Sequence, residues 1–275
     1  MTSASQVLLQ SFLEGPLLAT DLPEAATFPF RKLSLPDPAT ELNPNQKLGH
    51  LCEDAFAALL DSSTDYELLA KNLQIQTDIH TTVGELDFLI RDLETGHLIH
   101  LELATKFYLA VEAKDGLTLP GPDARDNFFK KLKHLCNHQL KLTQQHPTAL
   151  PEEYQNLSIV PKQLIYGCLF DHFLATRQTE TEFINPDCRR GYWLNVEECA
   201  DHFPRDTHFQ IIPKHLWPVP LTLLKDLSLD PWTPNTPINR CLMLRIDDQP
   251  IPYFITPSDW PTFQQFNSPP TSGLQ

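Results

Sequence analysis

Two acids on either side of a tight loop are the residues of this chain best placed to act together. Asp87 stands in "GELDFLIRD" and Glu102 in "HLIHLELATKFYL", and "LETG" joins the two segments. Acidic residues followed by glycine suit a short hairpin loop. If Asp92 faces His97 across that loop, paired positions sum to 189 and Asp87 falls opposite Glu102. Facing side chains on one side of an antiparallel pair have Cβ atoms roughly 5 Å apart. Two carboxylates that close repel unless one is protonated or a cation lies between them. Carboxylate oxygens converging from separate strands suit Mg²⁺ or Mn²⁺, which take one or two carboxylates together with waters. The same acids can also sit on a solvated sheet face, where a neighbouring lysine only balances their charge.

Two lysines compete for a role beside these acids. The side-chain period of two puts His100, Glu102, Ala104 and Lys106 on one face of the second strand and Leu101, Leu103, Thr105 and Phe107 on the other. Lys106 then lies about 13 Å along the strand from Glu102, and its long stem can lean back to position water and offset charge on a phosphate. Glu112 and Lys114, in "VEAK", have the more familiar spacing. They begin ten residues beyond Glu102, roughly 33 Å along an ideal strand, which is too far for one ion to join them to Asp87. The geometry selects Glu102 with Lys106.

These residues need elements to hold them. In "KLGHLCEDAFAALLDSS" the apolar residues recur at three and four, giving a helical face with Asn45 as its expected cap and Glu53 at its edge. "YELLAKNLQIQTD", "VGELDFLIRD" and "GHLIHLELATKFYLAV" read as three strands. After "LPGP", "DARDNFFKKLKHLCNHQLKLTQQ" restores helical spacing, and "KQLIYGCLFD" reads as a buried strand. Helix, three strands, helix and strand predict an α/β (α+β) fold, a mixed sheet flanked by helices. Residues 1–44 read as a wrapping arm, helical between Ser5 and Leu13; residues 45–172 form the core. Residues 173–275 form an α+β extension, with strands at "RRGYWLNV" and "HFQIIP" and a hairpin of "NRCLMLRI" with "PIPYFIT"; the aromatic residues of this part are expected in a core.

Bulk properties narrow the function further. A chain of 275 residues is long enough for a substantial core. A net charge of −14 excludes a protein that coats nucleic acid wholesale, since such binding neutralises phosphates over a positive surface. A local basic stripe or a metal-bridged contact stays open. The six cysteines show no CxxC pair and read as free thiols in a reducing cytosol. No signal peptide or membrane span is expected, so the predicted location is cytoplasmic. Neither a GxSxG elbow, a P-loop, GxGxxG nor HExxH occurs.

"GELDFLIRD", "HLELATKFYL" and "GPDARDNFFKKLKHLCNHQL", with "GYWL" and "PYFITPSDWP" further on, resemble the bacterial family catalogued as domain of unknown function 1853. That family is placed in the PD-(D/E)XK nuclease-like superfamily, so the resemblance implies a restriction-endonuclease-like core. It implies metal-binding acids at Asp87 and Glu102, with Glu53 as the acid carried by the first helix. The lysine expected two residues after the second acid is replaced by Ala104, and Lys106 follows two residues later on the same face. The resemblance also covers Arg125, Asp126, Lys131, His138 and Gln139. Of these, Arg125, Lys131, His138 and Gln139 are the expected substrate contacts.

Lys131, His134, His138 and Lys141 recur at three and four, which predicts one helix side facing phosphates; for Lys133 and Lys141 a solvated face is the preferred reading. His134 and His138 have the spacing of a helical metal pair but no third ligand. Arg189 and Arg190 read as a phosphate contact or as a polar turn before a strand. Two functions follow. One is a Mg²⁺- or Mn²⁺-dependent nuclease with Asp87, Glu102 and Glu53 on the metal, Lys106 positioning water, and nucleic acid as its partner. The other is a nuclease-like fold without catalysis that serves as a binding or scaffolding module.

Overall fold

The structure is a computed structural model that describes residues 3–30, 33–78, 80–114, 116–247 and 249–261. Phe263 and Phe266, expected among the C-terminal core aromatics, lie outside the described residues. Helix α1 (Ala4–Glu14) and the two-residue strand β1 (Ala26–Thr27) form the arm. Helix α2 (Leu48–Asp61) is followed by a meander of β2 (Tyr66–Asp78), β3 (Thr81–Asp92) and β4 (Leu98–Leu109). A short hairpin, β5 (Val111–Ala113) with β6 (Gly116–Thr118), leads to α3 (Phe128–Asn137), α4 (Leu142–Gln145) and β7 (Ile159–His172). Beyond them come β8 (Arg189–Asn195), α5 (Val196–His202), β9 (Phe209–Ile211), β10 (Asp230–Trp232), β11 (Leu242–Ile246) and β12 (Tyr253–Thr256).

Among the described residues these strands build one mixed sheet in the order β10-β9-β11-β12-β8-β7-β4-β3-β2, with β1 added alongside β7. The β2–β3–β4 pairs are antiparallel, whereas β7 runs parallel to β4 after the helical crossover. The C-terminal strands continue this sheet through a parallel β7–β8 pair and a parallel β8–β12 pair. One core cluster joins Val7 and Phe12 of the arm, Phe56 of α2, Leu101 and Phe107 of β4, and Trp217, Phe254 and Trp260 of the C-terminal part. A second lies under α3 and joins Phe128, Leu132 and Leu135 to Tyr108 and Leu169.

The sequence accounts for the elements around the site. In α2, Leu51, Cys52, Ala55, Phe56, Leu59 and Leu60 are all buried, following the three-and-four spacing. Each such large side chain contributes about 1.5–3 kcal/mol relative to exposure. Lys47 holds the cap position before α2 and makes no side-chain cap bond, so Asn45 is not the cap; the Asn45 N–H instead donates to Asn43 Oδ1, two residues back, at 3.0 Å. The long helix expected over 123–145 is also divided. Asn127 caps α3, accepting from the Phe129 N–H, and the helix ends at Asn137. His138 leaves helical angles at φ −130° and ψ −69°, and a single 3₁₀ turn over Gln139–Lys141 precedes α4. Lys131, His134, His138 and Lys141 therefore do not form one continuous helix side.

Beside Lys106 the two central parallel strands touch. Gly167 of β7 faces it at φ +146°, and a Cβ built there would stand 1.6 Å from the Lys106 carbonyl oxygen. Only glycine fits that approach. No helix among the described residues is long and apolar enough to cross a membrane.

Candidate active site

The hairpin between β3 and β4 has the register that the loop dictates. The Asp92 N–H donates to His97 at 2.9 Å, and the pairs run from Arg91 opposite Leu98 to Phe88 opposite Leu101. There the ladder stops. At the next position the side chain of Asp87 takes over the bonding: its Oδ2 accepts the Leu103 N–H at 2.8 Å. The strands part, and Asp87 sits in the fork.

Glu102 lies on the sheet face beneath α3 and is only 3% exposed. Burying a carboxylate requires partners, and Glu102 has them on both oxygens. His100 Nε2 stands 2.8 Å from Oε1, and Gln139 Nε2 donates to Oε2 at 2.6 Å. A carboxylate only accepts, so the buried ring of His100 donates to it through Nε2, while its Nδ1 has no partner among the described residues. Gln139 is itself held by Lys131, whose Nζ donates to Oε1 at 2.7 Å. The division of the helix at His138 is what turns Gln139 towards the sheet.

The electrostatics follow from this crowding. Burial, and then the charge of Glu102, push the Asp87 carboxyl up to about 8, while Glu53 acts in the same direction and the Leu103 N–H and Lys131 oppose it. Burial, then the nearby charge of Lys106, lowers the Lys131 ammonium, and Glu102, Asp87 and Asp126 partly restore it. Lys131, expected as a phosphate contact, thus bears on the acid pair itself.

The other expected residues take different places. Lys106 does not lean back to the acids; its Nζ donates to Asp126 Oδ2 at 2.6 Å, ahead of α3. Glu53 bears on Asp87 by charge, but its Oε2 accepts from Asn72 at 3.2 Å and stands 3.4 Å from His50 Nδ1. Among the described residues no group of three or more His, Cys, Asp and Glu side chains is gathered to hold a metal, so a three-acid set with Glu53 does not form. Arg125 is 73% exposed and pairs with Asp123 at 3.2 Å, away from Glu102. His138 stacks on His134 with ring centroids 5.2 Å apart, and its buried Nδ1 has no partner among the described residues. Glu112 and Lys114 lie apart, in and just after β5 of the separate small hairpin.

Arg189 and Arg190 serve the fold. Arg189 donates to the carbonyls of Trp217, Pro218 and Val219, and Arg190 to Thr179 and Asp171. All six cysteines are free thiols, five of them buried.

Fold and site together define a mixed α/β protein whose sheet carries two neighbouring acids, Asp87 and Glu102, beside Lys131 of α3 and Gln139 of the turn that follows it. The chain belongs to the family described as Domain of unknown function (DUF1853), which it matches over residues 13–251. No curated protein and no solved structure matches it.

Proposed function

We propose that this protein hydrolyses phosphodiester bonds of nucleic acid with the help of a divalent metal, and that its core is of the restriction-endonuclease-like, PD-(D/E)XK type. One observation carries the reading: Asp87, in the fork where β3 leaves β4, shares its surroundings with Glu102 and has its charge opposed by burial and by that neighbour. The order of α2, three antiparallel strands, α3 and the parallel β7 supports the fold assignment.

The donor set suits Mg²⁺ or Mn²⁺ held by two carboxylates and completed by water. Each Glu102 oxygen uses one acceptor position on His100 or Gln139, which leaves lone pairs free for a cation. When bound, such an ion polarises the phosphate and favours deprotonation of water. Asp87 and Glu102 would hold it, with Glu53 adding negative charge from α2. Lys131, through Gln139, fixes the orientation of Glu102 and places a cation beside the acids. Lys106, paired with Asp126, supplies a second cation at the rim.

The test is cleavage of labelled single- and double-stranded DNA and RNA in Mg²⁺ or Mn²⁺, comparing wild type with Glu102→Ala. Metal-dependent cleavage lost in the variant is the expected result; equal cleavage by both proteins overturns the reading. A second reading has its own support. The Lys106–Asp126 ion pair occupies the lysine expected to serve catalysis, which favours a nuclease-like fold that binds without cutting. That reading predicts nucleic-acid binding with no turnover in any metal.

A further inference from the structure

Lys106 and Asp126 border the acid site and also line a cleft of about 810 Å³ between the core and the C-terminal part. The far wall of this cleft comes from segments with no regular motif: Lys214 and His215 in a 3₁₀ turn, and Arg240 just before β11. Lys47, ahead of α2, and Arg125 line the cleft as well. Five lysines and arginines thus meet two acids, Asp123 and Asp126, in a chain whose net charge is −14. Both acids are already paired, with Arg125 and Lys106. Lys47, Lys214 and Arg240 are exposed and have no acidic partner among the described residues.

We infer that this cleft is a phosphate-backbone track through which the C-terminal part holds a nucleic-acid strand against the site at Asp87 and Glu102. The inference rests on the function proposed above. Exposed lysines and arginines on long stems contact backbone phosphates and carry no sequence information. The one tryptophan in the wall is not a stacking platform for bases. Trp217 is 9% exposed, with Phe107 and Phe254 packed edge-on to it and Lys214 Nζ 5.6 Å from its ring centre. Recognition by charge, without base reading, follows.

The experiment is fluorescence anisotropy of a short labelled DNA strand and its duplex, with the full chain in EDTA over a range of salt. Wild type is compared with the double variant Lys214→Ala/Arg240→Ala and with Glu102→Gln, and thermal melts check that each is folded. The double variant is expected to bind roughly tenfold or more weakly and to lose about one from the salt slope for each cation removed. Glu102→Gln is expected to bind in EDTA at least as well as wild type. A folded double variant that binds like wild type overturns the track. So does displacement of the strand by equimolar inorganic phosphate or a mononucleotide, which would mark a small-molecule site. Because no metal is present, loss of binding in the double variant supports the track even where no cleavage is found. Conversely, metal-dependent cleavage with unchanged KM in the double variant removes the track and leaves the catalytic reading standing.

Discussion

Asp87 holds the Leu103 N–H at 2.8 Å with its own side chain, at the point where strand pairing between β3 and β4 has just ended. This contact fixes one carboxylate oxygen in the fork and leaves the other to the crowd of Glu102, Glu53 and Lys131. Several measurable properties depend on that arrangement.

Millimolar Mg²⁺ or Mn²⁺ should raise Tm, because a cation that binds only the folded site stabilises it by mass action. At an ion concentration a hundredfold above Kd the gain is about 2.7 kcal/mol. Asp87→Ala should abolish the shift. A wild-type melt unmoved by either ion would remove the metal from the proposal.

Stability without metal should fall as pH rises. The Asp87 carboxyl goes from its ordinary 3.8 to about 8 in the folded chain, so the native state binds the extra proton between those values. Its contribution is complete below pH 3.8 and is lost as pH rises through about 8. Melts in EDTA across this window should show Tm declining with pH in wild type and a flatter course in Asp87→Asn. At the alkaline end the variant should be the more stable, by roughly 2–4 °C for each kcal/mol recovered. Parallel wild-type and variant curves would contradict the placement of Asp87.

The two lysines should separate in kinetics. Lys131 belongs to the Glu102 network, so Lys131→Met should lower kcat by roughly 10²–10³, the usual cost of one electrostatic donor aimed at developing charge. Lys106→Met should act mainly on KM, since Lys106 is paired with Asp126 at the rim. The reverse ranking would return the principal role to Lys106.

Gly167→Ala should destabilise the whole fold. An alanine Cβ at φ +146° would meet the Lys106 carbonyl at 1.6 Å, and the strands would have to part. A cost of about 3 kcal/mol or more is expected, read as a fall in Tm of roughly 5 °C or more. An unchanged melt would mean that β4 and β7 do not approach as described.

The sheet around the site was legible because short loops fix register. Asp92 and His97 set the hairpin, and every pair from Arg91–Leu98 to Phe88–Leu101 follows from them. The alternation of Leu101, Leu103 and Phe107 against Glu102 and Lys106 then gave the two faces. The interruption at His138 was not legible, because neither glycine nor proline marks it, and the contact of Gln139 with Glu102 comes directly after that interruption. Nor was the second wall of the cleft. Lys214 and Arg240 stand in irregular segments far from the core in sequence, and only the continuation of the sheet through β8, β12 and β11 brings them near Lys106.

The arm has a consequence for how the chain is made. β1 lies beside β7, the Leu18 N–H donates to Ile165, and the Tyr166 hydroxyl donates to the carbonyl of Phe12, 154 residues away. At roughly 5–20 residues per second of synthesis, Val7, Leu8, Leu9 and Phe12 wait on the order of ten to thirty seconds before their acceptor strand exists. Throughout that interval the arm can rest on α2, which is made early, but it lacks its partners on β7, so its docking is completed late.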